Sequence, residues 1–296
     1  AYVTDKGVNE EFSCGLKRGE KKQFKRNKKS YDKLSDHIGL VPLVMISPAD
    51  YNLISGGSEE RRRFMDVVIS QYDKEYLDAL IRYNKAMTQR NVLLKGDMEP
   101  DDELMSVWEE MMAACGEVVY KKRCKFIEEF IPTFQAFYSY ISQDKEQVSL
   151  AYESHAMQGS LLQQLINSRQ RDRIMGYSLK GIHKDDLSMS LGDYPIKKEG
   201  SQGQNKTYLI ALKLAQFDFL RRTGSNTTPL LLLDDIFDKL DSERVEKIVQ
   251  LVVGQQFGQI FITDTDRQHL SSLLTVHREN AKLFLVKDGN IAEMKI

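Results

Sequence analysis

The chain has 296 residues, 41% hydrophobic and 29% charged, with 42 basic against 43 acidic side chains and a formal net charge of −1. That length and apolar content suit two lobes around a sizeable core and exclude a disordered or low-complexity chain. No apolar stretch is long enough for a membrane helix and no signal peptide opens the chain; Cys14, Cys115 and Cys124 are too scattered for a disulfide framework or a zinc site, which points to a reducing, cytoplasmic setting.

The chain starts at Ala1, inside a strand-like segment, which reads as a fragment or a processed chain. Up to Ile46 it is β-rich: Phe12–Leu16 and Gln23–Phe24 predict short strands joined through Gly19-Glu20, and Leu40–Ile46 predicts a buried strand ended by Ser47-Pro48. Between Lys17 and Lys29 lie eight basic residues and one acid, Glu20. From Ser58 to Ser142 the period becomes helical. Phe64, Val67, Val68 and Tyr72 mark one helix and Tyr76, Leu80, Tyr83 and Met87 a second. Leu104–Tyr140 marks a long third helix, interrupted near Pro132, with a further basic cluster at Lys121, Lys122, Arg123 and Lys125. Val148–Tyr152 alternates as a strand and Gly159–Arg173 is helical. The remainder then alternates strand Leu187–Leu191, helix Gln204–Arg222, strand Leu230–Leu233, helix Glu243–Val253, and strands Gln259–Thr263 and Leu283–Val286. Such alternation predicts an α/β sheet covered by helices.

The chemistry concentrates in three stretches. Leu230–Leu233 runs into Asp234 and Asp235, and the carboxyl end of a buried strand is where open α/β sheets bind ligands. There one carboxylate can hold Mg²⁺ and the next can orient an attacking water; the same acids can equally cap the following turn. Gly200-Ser201-Gln202-Gly203-Gln204 opens a helix whose free N–H groups can receive an anion, or it is simply an N-cap. Phe237-Asp238-Lys239-Leu240-Asp241 is a short loop ending in another carboxylate.

In this order and spacing, SQGQ, LLLLDD and DKLD resemble the ATPase heads of the ABC and SMC superfamily and, more closely, the RecF family. ISPADYNLISGGSEERRRFMD (Ile46–Asp66) and GYSLKGIHKDDLSMSL (Gly176–Leu191) are similar to the RecF segments around its helical lobe, so the resemblance covers nearly the whole chain. It implies an α/β, ABC-type ATPase head, lobe I (residues 1–47 and 175–296), with an inserted all-helical lobe II (48–174). It also implies ATP and Mg²⁺ as cofactors, with Asp234 on the metal and Asp235 as the catalytic carboxylate. Ser201, Gln202, Gly203 and Gln204 would form the signature that reaches the γ-phosphate on the partner subunit, and Asp241 would sit in the D-loop at the interface. ATP would then glue a homodimer that slow hydrolysis releases. RecF proteins are expected to bind DNA at single-strand/double-strand junctions and to assist RecA loading with RecR and RecO, away from any membrane.

There are departures from that pattern. No G-x-x-x-x-G-K-[ST] phosphate loop is present, because Lys206 follows Asn205 in GSQGQNKT. The family's phosphate loop precedes the part that begins here, so the chain alone is expected to bind ATP poorly and not to hydrolyse it. The switch-loop histidine of many ABC proteins is missing, leaving Thr263 or Thr265 in its place, and Ile182 stands where RecF proteins tend to have proline. Asp264 and Asp266 form a D-x-D that a nuclease could use as a metal site, but too little chain follows to complete one, which favours a switch loop.

DNA is the implied polymer. Lys21, Lys22, Lys25 and Arg26 can contact phosphates, with Phe24 and Tyr31 nearby for packing or stacking, or they form a solvated hairpin edge. Arg61 and Arg62, at the start of the helical stretch, either contact phosphates or hold the lobes together by a salt bridge. His155 and His183 have no catalytic spacing. The alternative to an ATP-driven switch is a non-catalytic DNA-binding or scaffold fragment in which the motifs persist only as fold.

Overall fold

The computed structural model describes residues 2–3, 9–20, 22–96, 101–224, 228–254, 257–265 and 281–294. Short strands open the chain. β1 (Tyr2–Val3) pairs with β2 (Asn9–Glu10), and β3 (Phe12–Gly15), β4 (Gln23–Arg26) and β5 (Lys29–Ser30) form an antiparallel meander whose first turn closes with Glu20 N–H on the Lys17 carbonyl. β6 (Leu43–Ile46) follows. Ser47 and Asp50 then build a capping box around Pro48 that stops the strand and starts a 3-10 turn.

The helical period appears as α1 (Asn52–Ser55), α2 (Ser58–Ser70), α3 (Lys74–Leu94) and α4 (Asp102–Ser142). Asp73 caps α3 by accepting from Tyr76 N–H, and Asp101 caps α4 by accepting from Glu103 and Leu104. The expected interruption at Pro132 does not occur: α4 is continuous through it. The proline faces solvent, so the carbonyl it deprives of a partner can meet water. Buried Phe126, Phe130, Phe134 and Tyr138 fasten the helix on its other face, with Phe126 at 5.0 Å from both Phe130 and Phe219 between ring centroids.

Next come β7 (Val148–Glu153), α5 (Leu161–Met175), β8 (Asp186–Leu191), β9 (Tyr194–Pro195), α6 (Ile196–Glu199) and α7 (Gln202–Thr223). β7, which the sequence places within 48–174, crosses out of the helices to pair antiparallel with β8, Val148 opposite Leu191 through Glu153 opposite Asp186. The chain closes with β10 (Leu230–Asp234), α8 (Ser242–Val253), β11 (Ile260–Thr263), β12 (Leu283–Lys287) and β13 (Asn290–Met294).

The site is organised by the parallel sheet β11-β10-β6, with Leu233 opposite Ile46 and Asp234 opposite Thr263. One face buries Val44, Ile46, Leu231 and Leu233, and the other leaves Leu43, Met45 and Phe261 at the surface. α7 runs between β6 and α4. Leu209, Leu212, Leu214, Ala215 and Phe219 point inward as expected, but Ile210, Ala211 and Phe217 are buried too, so the helix is enclosed on all sides.

Two ionic clusters lie inside the helical part. Arg90 is fully buried and donates to Glu109 (3.0 Å), Asp172 (2.7 Å) and Ser178 (2.8 Å). Arg123 donates to Asp66 and Asp185, each at 2.7 Å, to Tyr76 (3.0 Å) and to the Ile182 carbonyl (3.1 Å). The second basic cluster is therefore divided: Arg123 is buried and Lys122 pairs with Asp73 and Glu75, while Lys121 and Lys125 are exposed beside Glu117 and Glu129. Among the described residues no helix is long and apolar enough to cross a membrane.

Candidate nucleotide site

β10 is the middle strand of the parallel sheet, and its carboxyl end carries Asp234 and Asp235 into the crevice, both half-buried. Asp234 Oδ1 accepts from the Thr263 hydroxyl at 2.5 Å, and Asp235 N–H donates to the Thr263 carbonyl at 3.1 Å. Asp235 has φ 50° and Lys239 φ 63°. Left-handed conformations in non-glycine residues cost on the order of 1 kcal/mol or more and persist where the surroundings enforce them. Here Ile236 and Phe237 anchor the turn in the core, and Lys206 of α7 donates to the Asp238 carbonyl (2.6 Å) and reaches the Asp235 carbonyl (3.5 Å). Burial pulls the Lys206 ammonium below its ordinary pKa, although Asp238 and Asp235 oppose the shift. Lys206 thus serves the loop after Asp235.

The start of α7 is closed by a reciprocal box: Ser201 Oγ accepts from Gln204 N–H (3.2 Å) and Gln204 Oε1 accepts from Ser201 N–H (2.8 Å). Gly200 is required sterically, since a Cβ there would lie 2.7 Å from the Ile196 carbonyl and 2.8 Å from Asn205 Oδ1. Gly203 is not: a Cβ would sit at ordinary distance, 3.6 Å from the Lys239 carbonyl. Asp241 caps α8 by accepting from Arg244 N–H at 2.9 Å. Of the two switch candidates, Thr263 is on Asp234, whereas Thr265 lies exposed beyond the end of β11. Asp266 lies outside the described residues.

Among the described residues no group of three or more His, Cys, Asp or Glu side chains is set to enclose a metal. A carboxylate beside a threonine hydroxyl nevertheless fits Mg²⁺, which is held by one or two carboxylates plus phosphate oxygens and water rather than by an all-protein cage.

No family model matches the chain. Curated relatives do. The DNA replication and repair protein RecF of Phocaeicola vulgatus is 73% identical over 294 residues, covering 99% of this chain and 79% of the relative. That of Bacteroides fragilis is 70% identical with the same coverage. The chain belongs to the RecF family. Its fold is also that of a solved RecF described as an ATP-bound recombination mediator of the RecFOR pathway, with a TM-score of 0.81 and 26% identity over 96% of this chain and 76% of that one. The fold is that of RecF, α/β sheets carrying helices.

The basic residues expected to meet DNA separate into two groups in this RecF chain. Lys22 and Lys25 are exposed on the β3–β4–β5 meander, and Lys21 lies outside the described residues. Arg26 is engaged by Glu10, with Nε at 2.8 Å from Oε2. The expectation of phosphate contact gives way at the two helical arginines. Arg61 forms a fork on Asp186 (2.6 and 2.9 Å) and so takes the salt-bridging alternative, tying α2 to β8, while Arg62 donates to the Asp185 backbone carbonyl (2.6 Å) just before that strand. Phe24 and Tyr31 pack on His37, at 5.1 and 5.3 Å between ring centroids, rather than standing free for stacking.

Sequence reading missed Glu146, Arg244 and Lys206. Glu146 Oε1 accepts from Gln204 (2.9 Å) and Arg244 (3.0 Å). No local pattern marks that carboxylate, because its partners are distant in sequence.

Proposed function

We propose that this chain is part of an ATP-dependent switch in DNA repair and replication. In this reading lobe I (1–47 and 175–296) and the helical lobe II (48–174) act as one head, which pairs with a second copy when ATP is bound. Asp234, held by Thr263, binds Mg²⁺; the metal supplies charge neutralisation on the phosphates when present. Asp235 orients and deprotonates the attacking water, its left-handed backbone turning the carboxylate out of the strand line. Ser201, Gln202, Gly203 and Gln204 present the α7 N-terminus to the γ-phosphate held by the partner subunit, and Asp241 lies in the loop at that interface. The scheme needs a phosphate loop, and none is among these 296 residues, which span 79% of the RecF relative. The state so formed binds DNA at single-strand/double-strand junctions and, with RecR and RecO, assists RecA loading.

The observation that carries this reading is the Asp234–Thr263 bond at the end of the central parallel strand, next to a strained Asp235. Gly203 adds support: nothing among the described residues requires glycine there, as expected if what approaches that backbone comes from outside. A scaffold reading draws on the complete local capping of Ser201 and Asp241. Asp235→Asn in the full-length protein separates the two. The switch predicts an ATP-bound dimer that outlives the wild-type dimer by at least tenfold, with hydrolysis abolished. Unchanged turnover and dimer lifetime by size-exclusion light scattering would leave only the scaffold.

A further inference from the structure

α4 ends in an unusual turn. Gln143 and Asp144 both adopt left-handed backbone, at φ 55° and 56°, and so double the chain back toward the N-termini of α7 and α8. Three side chains of this turn then reach those helices. Gln143 Nε2 and Lys145 Nζ donate to Glu243 Oε2 at 3.1 and 3.3 Å. Glu146 goes deeper: Oε2 accepts from the Tyr138 hydroxyl at 2.5 Å, while Oε1 receives both Gln204 Nε2 and Arg244 Nη2.

Each of these partners is committed on its far side. Gln204 closes the capping box on Ser201, and with Oε1 on Ser201 N–H and Nε2 on Glu146 both ends of its amide are satisfied in one orientation only. Arg244 donates Nη1 to Thr207 of α7 (2.8 Å) and pairs through Nε with Asp241 (3.2 Å). Burial would raise the Glu146 carboxyl, but the bonds from Tyr138, Gln204 and Arg244 outweigh it and hold the group below the usual carboxylate range. It is therefore an anion throughout neutral pH.

We infer that Glu146 is a positioning residue that locks the Ser201–Gln204 turn and the Asp241–Arg244 turn to each other and to the end of α4, so that any movement of the long helix is passed to both turns together. The inference rests on the ATP-switch reading for its consequence, since those two turns are the surfaces assigned there to the partner subunit. The brace itself depends only on the bonds just described.

The test uses Glu146→Leu, which keeps the size but removes the acceptor where the donors of Gln204 and Arg244 converge, and Arg244→Lys, which keeps charge but loses the fork. In the full-length protein, ATP affinity should stay within twofold while ATP-dependent dimerisation weakens at least tenfold in either variant. The double variant should be no worse than the more severe single one. Hydrogen exchange in this chain should quicken at least tenfold at both turns together. Exchange that changes at one turn only, or at neither, would overturn the brace. So would an equal loss of dimerisation in Val68→Ala, a core variant far from the turn, because the effect would then be one of general stability. A wild-type protein that fails to dimerise with ATP would sink the switch reading, while the exchange result would still decide the brace.

Discussion

His183 is held as one neutral tautomer: Nε2–H donates to the Ser178 carbonyl (2.9 Å) and Nδ1 accepts from the Tyr83 hydroxyl (2.8 Å). Gly181 makes room for this pair, with φ 127° and a Cβ position only 2.2 Å from the Tyr83 oxygen. Burial, joined by the charges of Lys184 and Arg62, pushes the imidazole pKa down to about 4 from its ordinary 6.5. The unfolded chain binds the proton first as pH falls, so this residue's stabilisation is complete above about pH 6.5 and disappears toward pH 4. The loss by pH 4.5 is on the order of 2–3 kcal/mol. Urea unfolding at pH 7 and pH 4.5 should therefore show a larger loss for the wild type than for His183→Gln, and parallel profiles would refute the assignment. Arg90 and Arg123 are the other residues whose environment dominates. Arg90 pairs with buried Glu109 and Asp172, and Arg123 with buried Asp185 and half-buried Asp66; removing one member of such a buried cluster costs on the order of 3–5 kcal/mol. Nothing in the runs around them distinguishes these arginines from exposed ones.

The β3–β4–β5 meander and α4 show how an element reads differently alone and in place. In the meander, Arg26 is balanced by Glu10, and hydrogen bonding to that carboxylate raises its guanidinium pKa. Lys22 and Lys25 remain exposed, with Lys25 opposite Ser13 on one side and Ser30 on the other. If this element contacts DNA, Lys22→Glu with Lys25→Glu should weaken duplex binding and lower the slope of log affinity against log salt by about 2, roughly one per phosphate contact. Arg26→Gln should change that slope little. Fluorescence anisotropy over a salt series measures both, and an unchanged slope in the double lysine variant would make the meander a solvated edge. In α4 the proline misleads because breaking a helix requires its backbone to lose more than packing restores; with Pro132 outward and four aromatic residues inward, packing prevails.

At the scale of the molecule, one apolar core runs from β6 and α2 through α4 and α7 to α8 without a gap. Ion pairs cross the same boundary, Arg61 to Asp186 and Arg123 to Asp185. Helical and sheet parts should therefore unfold together. Trp108, the one tryptophan, lies on α4 against this core, so its fluorescence and the far-ultraviolet circular dichroism should share a single urea midpoint and slope. Midpoints separated by more than about 0.3 M, at the urea sensitivity usual for small proteins, would mean that the helical part folds as an independent unit.

The sequence by itself determined what depends on neighbours along the chain. Periodicity placed α2, α3, α7, α8 and the strands β3, β4, β6, β7, β8, β10, β11 and β12 within a few residues, because burial of one face writes a period into the chain, whereas β2, β5, β9 and β13 went unread. The apolar run ending in Asp234-Asp235 and the turn at Ser201 were legible for the same reason: strand end, cap and loop are local. Only the tertiary structure decided which charges face water. Arg61, Arg90 and Arg123 met carboxylates far away in the chain and Arg62 a distant backbone carbonyl, and Glu146 became the junction of two helix N-termini through a turn whose direction no residue pattern reveals. An ion pair leaves no period, since its partners are chosen by the packing of elements and its energy by how much water that packing removes.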